Sequence, residues 1–446
     1  MIKKHNPSYL NFKELILLAL PVIASSFLSI AYNFINVIFV GKLGSDAVAA
    51  VGSAGFFMHL SWGVSTLFTV GAGIKVSHAL GSKNSTLSKS YVRTGIQAII
   101  IVSLIYYAFI AIFKTSLIGI VGINNLTIEH EASKYLLMIG LSIPFTFQNQ
   151  FFTSVLIGSG DSKTPFRVNA TAFVLNMILD PLFIFGADWG IYGTAAGTFI
   201  AQGVASVLFY IKINKVQSLR PIGVPFQKQI LKEIMSLGIS PTIQRISFTL
   251  IAIGMARIIS QWGASAIAVQ KVGVQIEAIT FMTAGGFMTA LASLSGKAFG
   301  AKNYEAQWNV FKSGIILAFM IGILTSAILI LFPESLFSLF LSEPESIKMG
   351  RDYLIILGYS QLFMCLELMA TGAFFGWGRT NIPAITGISL TLLRIPMALL
   401  FIHFWSNSLS SVWWSISISS MAKGSILVFL FIMMFKSFKK VNSVSI

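Results

Sequence analysis

Runs of twenty or more apolar residues recur along the whole chain, a length that matches the hydrocarbon thickness of a bilayer and exceeds what the core of a soluble domain requires. Only 10% of the 446 residues are charged while 55% are hydrophobic, so the chain reads as a polytopic, all-α membrane protein. Twelve spans are expected, near 14–39, 47–80, 92–113, 131–157, 167–186, 190–211, 231–259, 264–299, 308–332, 350–377, 383–404 and 411–435. The second and eighth runs are longer than a bilayer needs, which implies tilt or extension beyond the membrane.

The net charge of +16 invites a nucleic-acid reading, but the basic residues fall in alternate loops as the positive-inside rule requires. Lys3, Lys4 and Lys13 precede the first span, Lys83, Lys89 and Arg93 follow the second, and Lys163 and Arg167 follow the fourth. Lys212, Lys215, Arg220, Lys228 and Lys232 surround the midpoint, and Lys302, Lys312, Arg379, Lys436, Lys439 and Lys440 continue the series. The intervening loops carry acids such as Glu129, Glu131, Glu334, Glu343 and Glu345. Both termini are therefore expected in the cytoplasm of a cell whose inner membrane holds the protein, with no nucleic-acid partner. The first apolar run exceeds a signal-peptide core and lacks a convincing cleavage site, so it is expected to be retained. Cys365 is the only cysteine, which excludes an intrachain disulfide and a cysteine metal cluster. The five histidines, His5, His59, His78, His130 and His403, have no paired spacing.

The two halves repeat. Gly81-Ser-Lys83-Asn84 matches Gly300-Ala-Lys302-Asn303 (300 − 81 = 219), and Gly158-Ser-Gly160 through Pro165 matches Gly376-Trp-Gly378 through Pro383 (376 − 158 = 218). Tyr135 pairs with Tyr353 and Gly140 with Gly358 at 218, and Gly44 with Gly263 at 219. Six spans per half is an even number, so both halves enter from the same side and are parallel repeats about an axis along the membrane normal. The expected organisation is a lobe at 1–212, a basic linker at 213–229 and a lobe at 230–446, with a cavity between two six-helix bundles.

Asp180 lies in the apolar stretch Val168 to Gly186, where a carboxylate is costly unless it faces protein or water. Asn176 stands one turn earlier on the same face, and Pro181 removes the backbone donor that would serve the carbonyl of Met177. Carboxylate, amide oxygen and freed carbonyl are hard donors, suited to a proton or a small cation.

Several segments resemble the multidrug and toxic compound extrusion (MATE) transporters: Tyr32-Asn33-Phe-Ile-Asn36 through Val40-Gly41-Lys42-Leu43-Gly44 to Ala49-Ala50-Val51-Gly52; Gly158 to Pro165; Asn176 to Asp180-Pro181; and Gly190-Ile-Tyr-Gly193-Thr-Ala-Ala-Gly197-Thr198. The resemblance implies a first-lobe cation site built from an acid in span 1, an Asn and an Asp in span 5, a Thr in span 6 and a Tyr in span 4. Asn176, Asp180, Thr198 and Tyr135 fit these places, while Asn36 stands where the family has its span 1 acid. One formal negative charge then remains, enough for one proton or one monovalent ion.

The second half supplies Glu277 and Glu367 with Arg245 and Arg394 in apolar surroundings. Glu277, Glu367 and Arg245 are candidate substrate contacts, with a buried Arg245–Glu packing pair as the alternative, and Met282, Phe287 and Met288 are candidates for an adaptable apolar wall. The resemblance implies a secondary antiporter that exports amphipathic, cationic compounds against H⁺ or Na⁺ by alternating access. Small molecules and the bilayer are its expected partners, it uses no cofactor beyond the coupling ion, and it is expected to be a monomer. A flippase for lipid-linked precursors or polysaccharides is the alternative. An enzyme is disfavoured, because no HExxH, P-loop or Ser/His/acid spacing is present. Cysteine labelling in a Cys365→Ala background tests the orientation. A cysteine replacing Pro225 should react only from the cytoplasmic side, and reaction from outside overturns the topology.

Overall fold

The structure, a computed structural model, describes residues 12–123 and 125–443, with side chains to 438. The calls on Lys3, Lys4, His5 and the side chains of Lys439 and Lys440 lie outside these residues. The first half folds as α1 (Phe12–Gly41), α2 (Ser45–Gly81), α3 (Ser85–Val121), α4 (Leu126–Gly140), α5 (Ile143–Gly158), α6 (Lys163–Pro181) and α7 (Ile191–Lys215). The second half folds as α8 (Lys228–Ile259), α9 (Ala264–Gly300), α10 (Tyr304–Leu331), α11 (Pro333–Ser338), α12 (Pro344–Gly358), α13 (Gln361–Gly376), α14 (Asn381–Leu392), α15 (Arg394–Phe404) and α16 (Leu409–Ser443).

Ten of the described segments are long and apolar enough to cross a membrane singly, and α12 with α13, bent by 47°, makes an eleventh as one broken span. The fourth span expected from the sequence is likewise two helices, α4 and α5, which meet at Leu141 and Ser142. Both breaks fall at the same place in the repeat and are closed alike. The Ser142 hydroxyl donates to the Ile139 carbonyl at 2.7 Å and the Ser360 hydroxyl to the Leu357 carbonyl at 2.9 Å (360 − 142 = 218). Each carbonyl also accepts from the serine's own backbone N–H at 3.0 Å, so the hydroxyl finds its partner within the turn and is not left open in an apolar medium.

The turns repeat with the same fidelity. Lys83 and Lys302 adopt positive φ (58° and 53°), and the following Asn84 and Asn303 cap α3 and α10 by accepting from Leu87 N and Ala306 N, each at 2.9 Å. The Gly-x-Lys-Asn signature therefore marks a left-handed turn followed by a helix cap in both halves.

The chain divides into two compact units, but not at the 213–229 linker expected from the sequence. One unit is Leu20–Thr242, and the other comprises the described residues before Leu20 together with Ile243 onward. The divisions fall inside α1 and α8, next to Pro21 and Pro241, where each helix lacks one internal hydrogen bond. Side-chain chemistry accounts for the α8 boundary. Gly71 and Gly238 let the backbones of α2 and α8 touch, since a Cβ on either would run into the carbonyl of Ile234 or Leu67. Beside that contact Glu233 accepts from Lys75 at 2.8 Å and from the Tyr91 hydroxyl at 2.6 Å.

Gly71→Leu should therefore destabilise the protein in detergent by about 1–3 kcal/mol, as overpacking does, whereas Gly52→Ala, with open space around the new methyl, should cost nothing. Melting temperatures of the two variants test the contrast, and equal behaviour would overturn the close-packing account.

Candidate functional site

Within the unit Leu20–Thr242, α6 carries Asn176 and Asp180 one turn apart on its buried face, with 2% and 1% of their surface exposed. The α-helix ends at Pro181 and continues as a short π-helix, Leu182–Gly186, a local widening associated with functional sites. α7 is brought against this segment by Gly193 and Gly197, four residues apart on one face. A Cβ at Gly193 would strike the backbone at Phe183 and Ile184; one at Gly197 would overlap Asp180 Oδ1 and lie 3.0 Å from Asn176 Oδ1. The Gly197 backbone thus packs directly against both oxygens.

Hydrogen bonds fix which atoms face Gly197. Asn176 Nδ2 donates to the Tyr32 hydroxyl at 2.6 Å and to Thr198 Oγ1 at 3.2 Å, and Asn36 Nδ2 donates to the same Tyr32 oxygen at 3.1 Å. With its amide nitrogen committed on that side, Asn176 turns Oδ1 towards Asp180. Asn176 Oδ1 and both carboxylate oxygens of Asp180 are buried without a hydrogen-bond donor. Among the described residues no lysine or arginine acts on Asp180. Three clustered, buried oxygens with no donor form an arrangement that a proton or a small cation would satisfy. No group of three His, Cys, Asp or Glu side chains suited to a transition metal occurs among the described residues.

Four of the five residues expected in this site, Asp180, Asn176, Thr198 and Asn36, are brought together. Tyr135 is buried beside them within electrostatic reach of Asp180, but its hydroxyl bonds to Thr194 at 3.0 Å, one layer away. Tyr32 joins the cluster unannounced. It lies one turn before Asn36 on α1, stacks on Phe173 at 5.3 Å, and is the shared acceptor that orients Asn176. Its i, i+4 spacing from Asn36 was the available signal.

In the other unit Glu277 on α9 accepts from the Tyr353 hydroxyl at 2.9 Å and from Gln361 Nε2 at 2.7 Å. Gly273, one turn before Glu277, leaves room for the Tyr353 ring, which would clash with a Cβ there. Glu367 is paired with Lys423 (Nζ to Oε2 3.0 Å, to Oε1 3.1 Å), and Lys423 also lies 5.6 Å above the Phe248 ring. The Arg245–Glu packing pair, the alternative reading, does not form: Arg245 is exposed on α8, and the base that meets Glu367 is Lys423, a lone cation in the last apolar run. Each of the four carboxylate oxygens accepts a hydrogen bond, and Glu367 is buried while Glu277 is half-buried. Met282 and Met288 are half-buried on α9, and Phe287 is buried.

The MatE family model matches residues 21–182 and 242–400, well over half of the chain. The chain belongs to the MatE family. A probable multidrug resistance protein NorM from Thermotoga maritima is 29% identical over 409 residues, which cover 90% of this chain and 88% of that relative. The multidrug export protein MepA of Staphylococcus aureus is 25% identical over 412 residues, covering 92% and 90%. Among solved structures, a MATE crystal structure in the bent conformation superposes with a TM-score of 0.91 at 20% identity over 97% of each chain. A MOP superfamily transporter from Pyrococcus furiosus gives 0.88 at 20% identity over 98% of this chain and 97% of its own. The all-helical architecture read from the sequence is thus the MATE fold, and this MatE member is a multi-pass membrane protein.

Tyr32→Phe keeps the stacked ring and removes the oxygen on which both amides rest. It should lower stability by about 1–3 kcal/mol, the cost of stranding buried donors, measured as a lower melting temperature in detergent. An unchanged melting temperature would show that Tyr32 does not orient Asn176.

Proposed function

We propose that this MatE member is a secondary antiporter of the inner membrane that exports amphipathic compounds, cationic ones among them, in exchange for H⁺ or Na⁺, with both termini cytoplasmic. The carrying observation is the trio of buried, donor-free oxygens on Asp180 and Asn176, a set whose electrostatic need changes when an ion arrives or leaves. Coupling requires that the loaded and unloaded forms favour different conformations, because an ion can shift an equilibrium only by its differential affinity for the two states. Asp180 supplies the charge, Asn176 and Thr198 supply neutral oxygens, Tyr32 and Asn36 hold them in place, and Tyr135 stands within electrostatic reach of Asp180. Relatives named for multidrug resistance and multidrug export support the substrate class. Met282 and Met288 on α9 are the proposed adaptable apolar contacts, since a flexible thioether can repack around varied ligands.

A flippase for phosphate-bearing lipids would need basic side chains free to meet phosphate. In the second half Lys423 is held by Glu367 and Arg394 donates to Ser419 and Ser420, which leaves Arg245 on α8 as a single unpaired base where a phosphate-lined cavity would need several.

The test is transport of a fluorescent organic cation in proteoliposomes, with proton and sodium gradients imposed separately. Asp180→Asn should abolish gradient-driven efflux while substrate binding stays measurable, since the change removes charge and keeps shape. Asn36→Asp should preserve the fold and alter the pH or sodium dependence by adding a second titratable group to the cluster. Undiminished coupled transport by Asp180→Asn would move the ion site elsewhere.

A further inference from the structure

The register of the repeat continues through the candidate ion site. Tyr135 and Tyr353, Gly140 and Gly358, and Pro165 and Pro383 all stand 218 apart. In the same register Asn176 corresponds to Arg394 (394 − 176 = 218) and Asp180 to Ala398 (398 − 180 = 218), which is fully buried. The second half thus keeps the tyrosine, loses the acid and carries a guanidinium where the first half has an amide.

An acid returns from another helix. Glu277, from α9, meets the repeat-equivalent tyrosine, whose hydroxyl donates to its Oε2. Arg394 lies within electrostatic reach of Glu277, Glu367 and Tyr353. Its Nε and Nη2 are anchored to the hydroxyls of Ser419 and Ser420 at 2.7 and 2.8 Å. Lys423 pairs directly with Glu367, whereas Arg394 makes no ion pair with either acid and acts on Glu277 through its charge at longer range, and all four carboxylate oxygens have donors. The contrast with Asp180, which has neither donor nor base, is complete. Burying a negative charge requires compensation, and the two halves meet that requirement differently.

We propose that Arg394 is a tethered cation that fills, in the second half, the role a coupling ion plays beside Asp180, so that each molecule takes up its ion in the first half alone. The inference rests on the coupling role proposed for Asp180. Restoring the first-half residue, Arg394→Asn, removes the internal cation and leaves Glu277 with only the neutral donors Tyr353 and Gln361. Oε1 of Gln361 is already buried without a partner, so the altered site would offer oxygens of the same kinds as the first-half site. Arg394→Asn should therefore create a second site for a monovalent ion or a proton.

The experiment counts ions bound by the purified full-length protein, using radioactive sodium and, separately, proton uptake with a pH-sensitive dye. The wild type should bind one equivalent and Arg394→Asn two, while Arg394→Lys, which keeps a cation, should bind one. In an Asp180→Asn background the count should rise from none to one on adding Arg394→Asn, and fall back to none on further adding Glu277→Gln. If Asp180→Asn alone retains its ion, the first-half reading fails, while the increment caused by Arg394→Asn still decides the present proposal. A monodisperse double variant that gains no ion overturns it. Should Arg394→Asn fail to fold, Glu277→Gln in the otherwise native protein decides: an unchanged count supports the tethered cation, and loss of the bound ion shows that Glu277 already holds one.

Discussion

Close approach of helix backbones is the constraint on which the rest of this structure depends. In a bilayer the hydrophobic effect does not drive one apolar helix against another, so packing relies on small residues that let backbones touch. Gly158 lies against the backbone of Gly73, and its repeat partner Gly376 against Ser295 and Gly296. Gly372 meets the carbonyl of Met288, Gly424 that of Phe363, and Gly71 and Gly238 bring α2 and α8 together. Each contact sets an interhelical distance, and those distances decide which polar side chains can meet.

The candidate ion site follows from one such approach. Because Gly197 carries no side chain, α7 comes near enough to α6 for its backbone to pack on Asp180 and for Thr198 to reach Asn176. A helix held further off would leave Asp180 unenclosed, and its carboxylate would draw in water. The same logic operates at Glu277, where Gly273 admits the ring of Tyr353. Glycine acts in both places as the absence that lets a polar group arrive.

The halves share a scaffold and differ in electrostatics. Left-handed lysine turns, asparagine caps and serine-closed helix breaks recur at a constant offset. Over this common frame the first half buries Asp180 with no donor on its carboxylate, while the second buries the Glu367–Lys423 pair and holds the half-buried Glu277 within electrostatic reach of the half-buried Arg394. Duplication preserved what packing requires and left the charges free to diverge.

Apolar periodicity and the repeat made the membrane class, the recurring turns and the helical architecture legible in the sequence, because span length and internal offset are one-dimensional quantities. Asp180 and its neighbour Asn176 could be read in the same way, since a carboxylate inside an apolar run announces its own cost, whereas Thr198 was implied only by the resemblance to the MATE transporters. Partners distant in sequence were not legible. That Lys423 and not Arg245 meets Glu367, that Tyr32 orients Asn176, and that the compact units divide at Pro21 and Pro241 rather than in the linker all depend on which helix faces touch. Those choices are made by close packing at glycines scattered over many helices, so only the tertiary structure decides which buried charge is already answered and which still needs an ion.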